Sequence, residues 1–220
     1  MAGGSTRAAV VADGLRRAIL RGEYVCGDRL VELTLSQRLG VSQNTVRDAL
    51  HILEAEGWVV KHARRGAHVR AFTPDEAEEV YALWAAVEGL ALHWAMASLT
   101  RKDAQALSRL VQQARNLALT GDMRAASDQL LSLHAVIGQR CGRPQTTALL
   151  ARLLNQIHLL ETLRQMRAPR SLHAQQTQIL LYEKWVSLIL AGDADAAEQV
   201  LRYLIHADGE SLAALLRAGG

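Results

Sequence analysis

Two cysteines in 220 residues, Cys26 and Cys141, are too few and too isolated for a disulfide framework or a zinc knuckle, and read as reduced thiols. No run of about eighteen uninterrupted apolar residues occurs, which argues against a membrane span. The opening Met-Ala-Gly-Gly-Ser-Thr-Arg lacks the apolar core of a secretory signal and reads as a flexible tail over 1–7, so a cytoplasmic location is expected. Motifs that carry chemistry are missing too: there is no nucleophile elbow, no P-loop, no His-Glu-x-x-His and no pair of carboxylates on one interior face. Glu161 and Glu183 read as solvated. With no acid, base and nucleophile converging, catalysis is not expected. After residue 73 no alternating strand pattern competes with helical spacing, and no internal repeat is seen.

What is present is an ordinary globular balance, half hydrophobic and 21% charged. The charge is uneven. Residues 1–73 hold eleven Lys and Arg against seven Asp and Glu, whereas 74–220 hold fourteen against fifteen. A basic head on a near-neutral body fits a polyanion-binding module joined to a body with another task. The pattern of breakers changes at the same place, near Phe72-Thr73-Pro74-Asp75. Thr73 supplies a hydroxyl cap, Pro74 suits the first turn, and Asp75 and Glu76 face the helix dipole. A boundary there gives domains over 8–73 and 74–216.

In the head, Val11, Leu15, Ala18 and Ile19 make one apolar face on a helix ending at Gly22. Thr34 caps a short helix over Leu35 to Leu39, Gly40 tolerates positive φ past its end, and Ser42 caps a third helix running to Glu56. On that helix Val46, Ala49, Leu50 and Leu53 share a side, leaving Gln43, Asn44, Thr45, Arg47 and His51 at the start and outside. A helix, a glycine turn and a helix with a polar front suit insertion into a major groove. Trp58-Val59-Val60 and Ala67-His68-Val69-Arg70 flank the cationic turn 61–66 and read as a β-hairpin wing.

These stretches resemble the winged-helix domain of the GntR family over 8–72. The matching segments are Gly27-Asp28-Arg29-Leu30, Leu39-Gly40-Val41-Ser42, Val46-Arg47-Asp48-Ala49-Leu50, Leu53-Glu54-Ala55-Glu56-Gly57 and Arg65-Gly66-Ala67-His68-Val69. The resemblance implies double-stranded DNA as partner, with Ser42, Gln43, Asn44, Thr45 and Arg47 facing the groove and Arg65 and Gly66 at the wing. Family members usually carry Arg where this chain has Gln43. Arg pairs well with guanine while Gln and Asn favour adenine edges, so the operator is expected to differ at that base. A contact of Gln43 with phosphate alone stays open.

The body reads as six helices: from Pro74 towards Ser98, 101–119, 122–140, a fourth after Pro144, 171–190, and a sixth after Gly192-Asp193. The first is expected to bury Val80, Leu83, Trp84, Val87, Ala91 and Trp94. This order resembles the FCD domain, the effector-binding half of the FadR subgroup. Val87-Glu88-Gly89-Leu90, His134 with Gly142 and Pro144, and Ala191-Gly192-Asp193 carry the likeness. Many members bind a divalent metal through one Asp and three His. Those positions fall here on Leu130, His134, Tyr182 and Leu204, so the resemblance implies a lost metal site and no cofactor. His206 is two residues, about 200° of helix rotation, from Leu204 and points elsewhere. A site from His134, His158 and Glu161 is the remaining metal alternative. His93, His158 and His173 otherwise read as surface or satisfied interior groups.

With Trp84 where many members have Arg, the expected pocket is largely apolar, lined by Trp84, Leu130, His134, Tyr182 and Leu204, with His134 and Tyr182 orienting the ligand. It would take a small, relatively apolar effector, aromatic or acyl. The competing reading is a core filled by these same side chains, with no ligand. The chain is thus expected to be mainly α: an amino-terminal winged helix-turn-helix, then a six-helix antiparallel bundle. Its expected role is an effector-controlled transcriptional regulator, a repressor, acting as a homodimer on a palindromic operator.

Overall fold

A computed structural model describes residues 6–218 and divides into two compact units, Met1–Phe72 and Thr73–Gly220. In the first, α1 (Arg7–Leu20) is capped by Thr6, whose Oγ1 accepts from the Ala9 N–H at 3.2 Å. The tail expected over 1–7 lies outside the described residues as far as residue 5; Thr6 and Arg7 belong to the helix start. Val11, Leu15, Ala18 and Ile19 are buried, as their spacing requires. Then follow β1 (Arg29–Leu30), α2 (Glu32–Leu39), α3 (Gln43–Ala55), β2 (Val59–His62) and β3 (Gly66–Val69).

The sheet runs β1-β3-β2 and is antiparallel, with Val59 opposite Val69 and Arg29 opposite His68. Its edge strand β1 spans two residues, too short for any period to announce it. Helix α2 starts three residues earlier than Thr34 capping required. Val31 stands at its cap position without a side-chain hydrogen bond, and Glu32 in the first turn complements the helix dipole instead. Gly40 takes φ +64 at the turn between α2 and α3, a conformation that costs other residues steric strain.

The second unit comprises α4 (Pro74–Met96), α5 (Arg101–Leu119), α6 (Met123–Arg140), α7 (Pro144–Arg167), α8 (Leu172–Ala191) and α9 (Ala194–Ala218). At the head of α4 Thr73 Oγ1 accepts from the Glu76 N–H at 3.2 Å, and the Glu76 carboxylate accepts from the Thr73 N–H at 2.8 Å. Gly192, φ +79, ends α8.

The buried face of α4 is rotated from the expected stripe. Leu83 and Trp94 are 47% and 37% exposed, and Tyr81, Ala85, Glu88 and Leu92 join Trp84 inside. Close packing explains the rotation: α9 presses on α4 where side chains are small. A Cβ on Gly209 would lie 2.8 Å from Tyr81 Cβ, and one on Gly89 would lie 2.6 Å from the Glu198 carboxylate. No helix among the described residues is long and apolar enough to cross a membrane.

Candidate functional site

The polar front of α3 is built by its cap. Ser42 Oγ accepts from the Thr45 N–H at 3.1 Å and lies 2.9 Å from Thr45 Oγ1. These two hydroxyls therefore set the start of the helix, while Gln43 and Asn44 project beside them into solvent. Arg47 is exposed but held: its Nη2 and Nε lie 2.7 and 3.1 Å from Glu32 Oε2. This hydrogen bond lowers the Glu32 carboxyl below its ordinary range and raises the guanidinium of Arg47. Glu32 has no role assignable from sequence, since α2 and the turn separate it from Arg47.

At the wing, Arg64 takes φ +64 and Gly66 φ +85, which folds the tip tightly and leaves Arg64 and Arg65 exposed. Arg29, also exposed, runs beside the tip: a Cβ on Gly66 would sit 3.7 Å from Arg29 Nε. Arg29, Arg64 and Arg65 thus form one cationic edge suited to phosphate oxygens.

Inside the helical unit, Trp84, Leu130 and Tyr182 border a common cavity, and His134 adjoins it through a hydrogen bond to Tyr182 and an edge contact with the Trp84 ring. His134 Nδ1 lies 2.7 Å from Glu88 Oε1, and its Nε2 lies 2.7 Å from the Tyr182 hydroxyl. The other Glu88 oxygen accepts from Trp84 Nε1–H. Burial raises the Tyr182 hydroxyl well above its ordinary range, so it keeps its proton and can donate to Nε2. The imidazole then donates from Nδ1 to Glu88. Trp185 stacks on the imidazole with centroids 5.3 Å apart. Sequence patterns gave neither Glu88 nor Trp185 a site role; the one available signal was a carboxylate one turn from Trp84 on the α4 face. Leu204 is buried on α9 but is not among the residues bordering this cavity.

The cavity itself is only about 10 Å³, room for one water. A larger hollow, about 360 Å³, lies between α5 and α8, bordered by Arg115, Leu119, Ile179 and Leu180.

At one end of the cavity lies a buried charge cluster, and here Glu161 departs from its expected solvated state. It is 6% exposed and takes hydrogen bonds from Tyr81 (3.0 Å), Arg164 (3.2 Å) and Arg170 (2.6 Å). Burial pushes its carboxyl up, but Arg170 and Arg164 outweigh that and hold it down to about 2. Asp208 accepts from Arg170 at 2.9 Å and from Gln178 Nε2 at 2.7 Å; burial keeps its carboxyl raised. Glu183 pairs with Arg115 at 2.5 Å and is half-buried.

The metal common in FCD domains does not fit these residues. Leu130 and Leu204 offer no lone pair, and both nitrogens of His134 are already engaged. Nor do His134, His158 and Glu161 converge: His158 Nδ1 lies 2.8 Å from the Leu154 carbonyl, and Glu161 belongs to the arginine cluster. Among the described residues no group of three His, Cys, Asp or Glu is placed to hold an ion.

Comparison with known proteins identifies both units. The profile described as bacterial regulatory proteins, gntR family, matches residues 7–69, and that of the FCD domain matches residues 79–207. The uncharacterized HTH-type transcriptional regulator BphR of Paraburkholderia xenovorans (strain LB400) is 28% identical over 202 residues, covering 87% of this chain and 79% of that one. The structure of E. coli McbR/YncC superposes with a TM-score of 0.81 at 18% identity, covering 94% and 97% of the two chains. A putative GntR regulator from Rhodococcus sp. RHA1 does so with 0.78 at 22%, over the same shares. At such identities the structures speak for the fold, and the two profiles for the family. The chain belongs to the GntR family of transcriptional regulators, which are not enzymes, and carries an FCD effector domain behind its DNA-binding head.

Proposed function

We propose that the protein is a cytoplasmic, homodimeric repressor that binds a palindromic operator and is controlled by a small, relatively apolar effector in its helical domain. The observation that carries the DNA half is the exposed front of α3, with Gln43 and Asn44 free to meet base edges and Arg47 braced by Glu32. The Arg65–Gly66 wing tip supplies phosphate contacts. Two heads related by a two-fold axis read inverted half-sites. Gln43 in place of the family's Arg shifts preference towards adenine at its base.

For the effector half, Trp84, Leu130 and Tyr182 supply apolar and aromatic walls, with His134 and the Tyr182 hydroxyl as orienting groups. No metal takes part. Since the resting cavity holds about one water, effector binds a minor, opened state, and its apparent affinity scales with that population. Coupling to DNA follows if the opened state places the heads differently. The same small cavity favours a second reading, in which the interior is a finished core and the protein binds DNA without an effector.

The test begins with operators selected from a random library, followed by anisotropy titrations at fixed salt. Specific binding to an inverted repeat is expected, weakened by Arg47→Ala and Arg65→Ala together; unchanged affinity at moderate ionic strength would remove the DNA half. Gln43→Arg should move the base preference towards guanine. Thermal shift against an apolar compound library separates the two effector readings, because a bound ligand raises stability by mass action.

A further inference from the structure

Arg170 lies in the connection between α7 and α8, outside either helix, yet its side chain is 8% exposed and points into the helical unit. Its guanidinium sits between two acids, 2.6 Å from Glu161 Oε2 and 2.9 Å from Asp208 Oδ1. Arg170 also borders the interior cavity, together with Tyr81, Trp84, Leu130 and Tyr182. A charged side chain from a surface connection thus stoppers an aromatic-walled interior.

The two arginines of this cluster differ in attachment. Arg164 is part of α7 and is tied by further bonds to the Asp208 carbonyl (2.8 Å) and Ser211 Oγ (2.9 Å). Arg170 has exposed neighbours on both sides, Pro169 and Ser171, so rotation of its side chain into water needs no helix to move. An arginine head is readily solvated at the surface. Its departure would leave two carboxylates facing one guanidinium, a buried excess of negative charge. A neutral ligand leaves that excess uncompensated, and an anion worsens it. A cation cancels it.

We infer that this end of the cavity is a binding site for an organic ammonium or guanidinium ligand with an apolar body, and that Arg170 is the built-in group such a ligand displaces. The inference rests on the effector reading above and narrows it. The ligand's apolar part runs along Trp84 and Leu130, and its charged end replaces the Arg170 guanidinium between Glu161 and Asp208.

The test uses the full-length chain with Arg170→Ala. Ethylguanidinium has the atoms this substitution removes, and ethylurea has nearly the same shape without the charge. At about 10 mM, ethylguanidinium should raise the melting temperature of the variant by roughly 3 °C, and ethylurea by less than about 1 °C. Adding Asp208→Asn restores the charge balance and should erase the difference. Because Arg170→Ala weakens a buried pair, the wild-type chain is titrated in parallel with 2-phenylethylamine and 2-phenylethanol, where only the amine should stabilise. Equal responses to charged and neutral probes, or a cation preference that survives Asp208→Asn, overturn the inference. A neutral apolar compound that stabilises wild type while the charged probes show no preference keeps the effector reading and removes only the cation site.

Discussion

His134 and Glu88 meet at 2.7 Å between α6 and α4, both without any exposure to solvent, and Tyr182 closes the far side of the imidazole. Polar atoms this deep are costly to orphan. Glu88→Ala leaves Trp84 Nε1–H and His134 Nδ1–H without their acceptor, for a loss of about 3 kcal/mol. Tyr182→Phe removes one hydrogen bond and should cost about 1–2 kcal/mol. Urea midpoints at unchanged slope measure both, and a smaller loss for Glu88→Ala than for Tyr182→Phe would contradict the network.

Within the acid cluster Glu161 gives the stability a pH dependence of definite sign, while Asp208, whose carboxyl burial raises, acts in the opposite sense. Glu161 has a folded value of about 2 against an ordinary 4.5, so its contribution is complete above pH 4.5 and is lost as pH falls from there towards 2. Glu161→Gln should therefore lower stability at pH 7 and flatten the acid limb of the stability curve. Melting temperatures between pH 6 and pH 3 decide it; a wild-type limb as flat as the variant's would exclude the role.

Two glycines of the α4–α9 contact should respond differently to alanine. Gly209→Ala drives a methyl against Tyr81 Cβ, which cannot yield without moving the helix, and should cost about 1–3 kcal/mol. Gly89→Ala meets the end of Glu198, a flexible side chain that can turn aside, and should cost less. Paired denaturation curves give the order.

On DNA, Arg65→Ala should weaken operator and random sequence alike and reduce the salt slope by about one. Glu32→Gln should act on discrimination instead. Freed from its carboxylate, Arg47 gains non-specific affinity and loses a fixed direction, so the ratio of operator to random binding falls. Titrations on both duplexes at several salt concentrations distinguish the two effects.

Removal of divalent metal should change nothing in the helical domain. Excess chelator is expected to leave the melting temperature unaltered; a drop, restored by zinc or nickel, would contradict the reading of Leu130 and Leu204 as groups that cannot ligate.

Much of this molecule is legible along the chain because its punctuation is local. Thr73 with Glu76, Ser42 with Thr45, and Gly40 and Gly192 mark helix ends through contacts a few residues apart. What escaped depends on how helices and their connections come together. Glu161 looks solvated until the α7–α8 connection brings Arg170 over it, and Glu88 becomes interior only because His134 and Trp84 receive it. Apolar counting also mis-phased α4, since Leu83 and Trp94 outweigh the small residues that α9 selects for contact. His134 and Tyr182 were found as neighbours through the family likeness, not through spacing.

The placement of Trp84 and Trp185 against His134 gives the helical domain an intrinsic optical probe. Trp58 is the other buried indole and belongs to the first unit, while Trp94 is partly exposed beside Arg143. Emission from the interior pair depends on the hydrogen bond at Trp84 Nε1 and on the stacked imidazole. If an effector opens the domain as proposed, the event can be followed in real time by fluorescence, without a label.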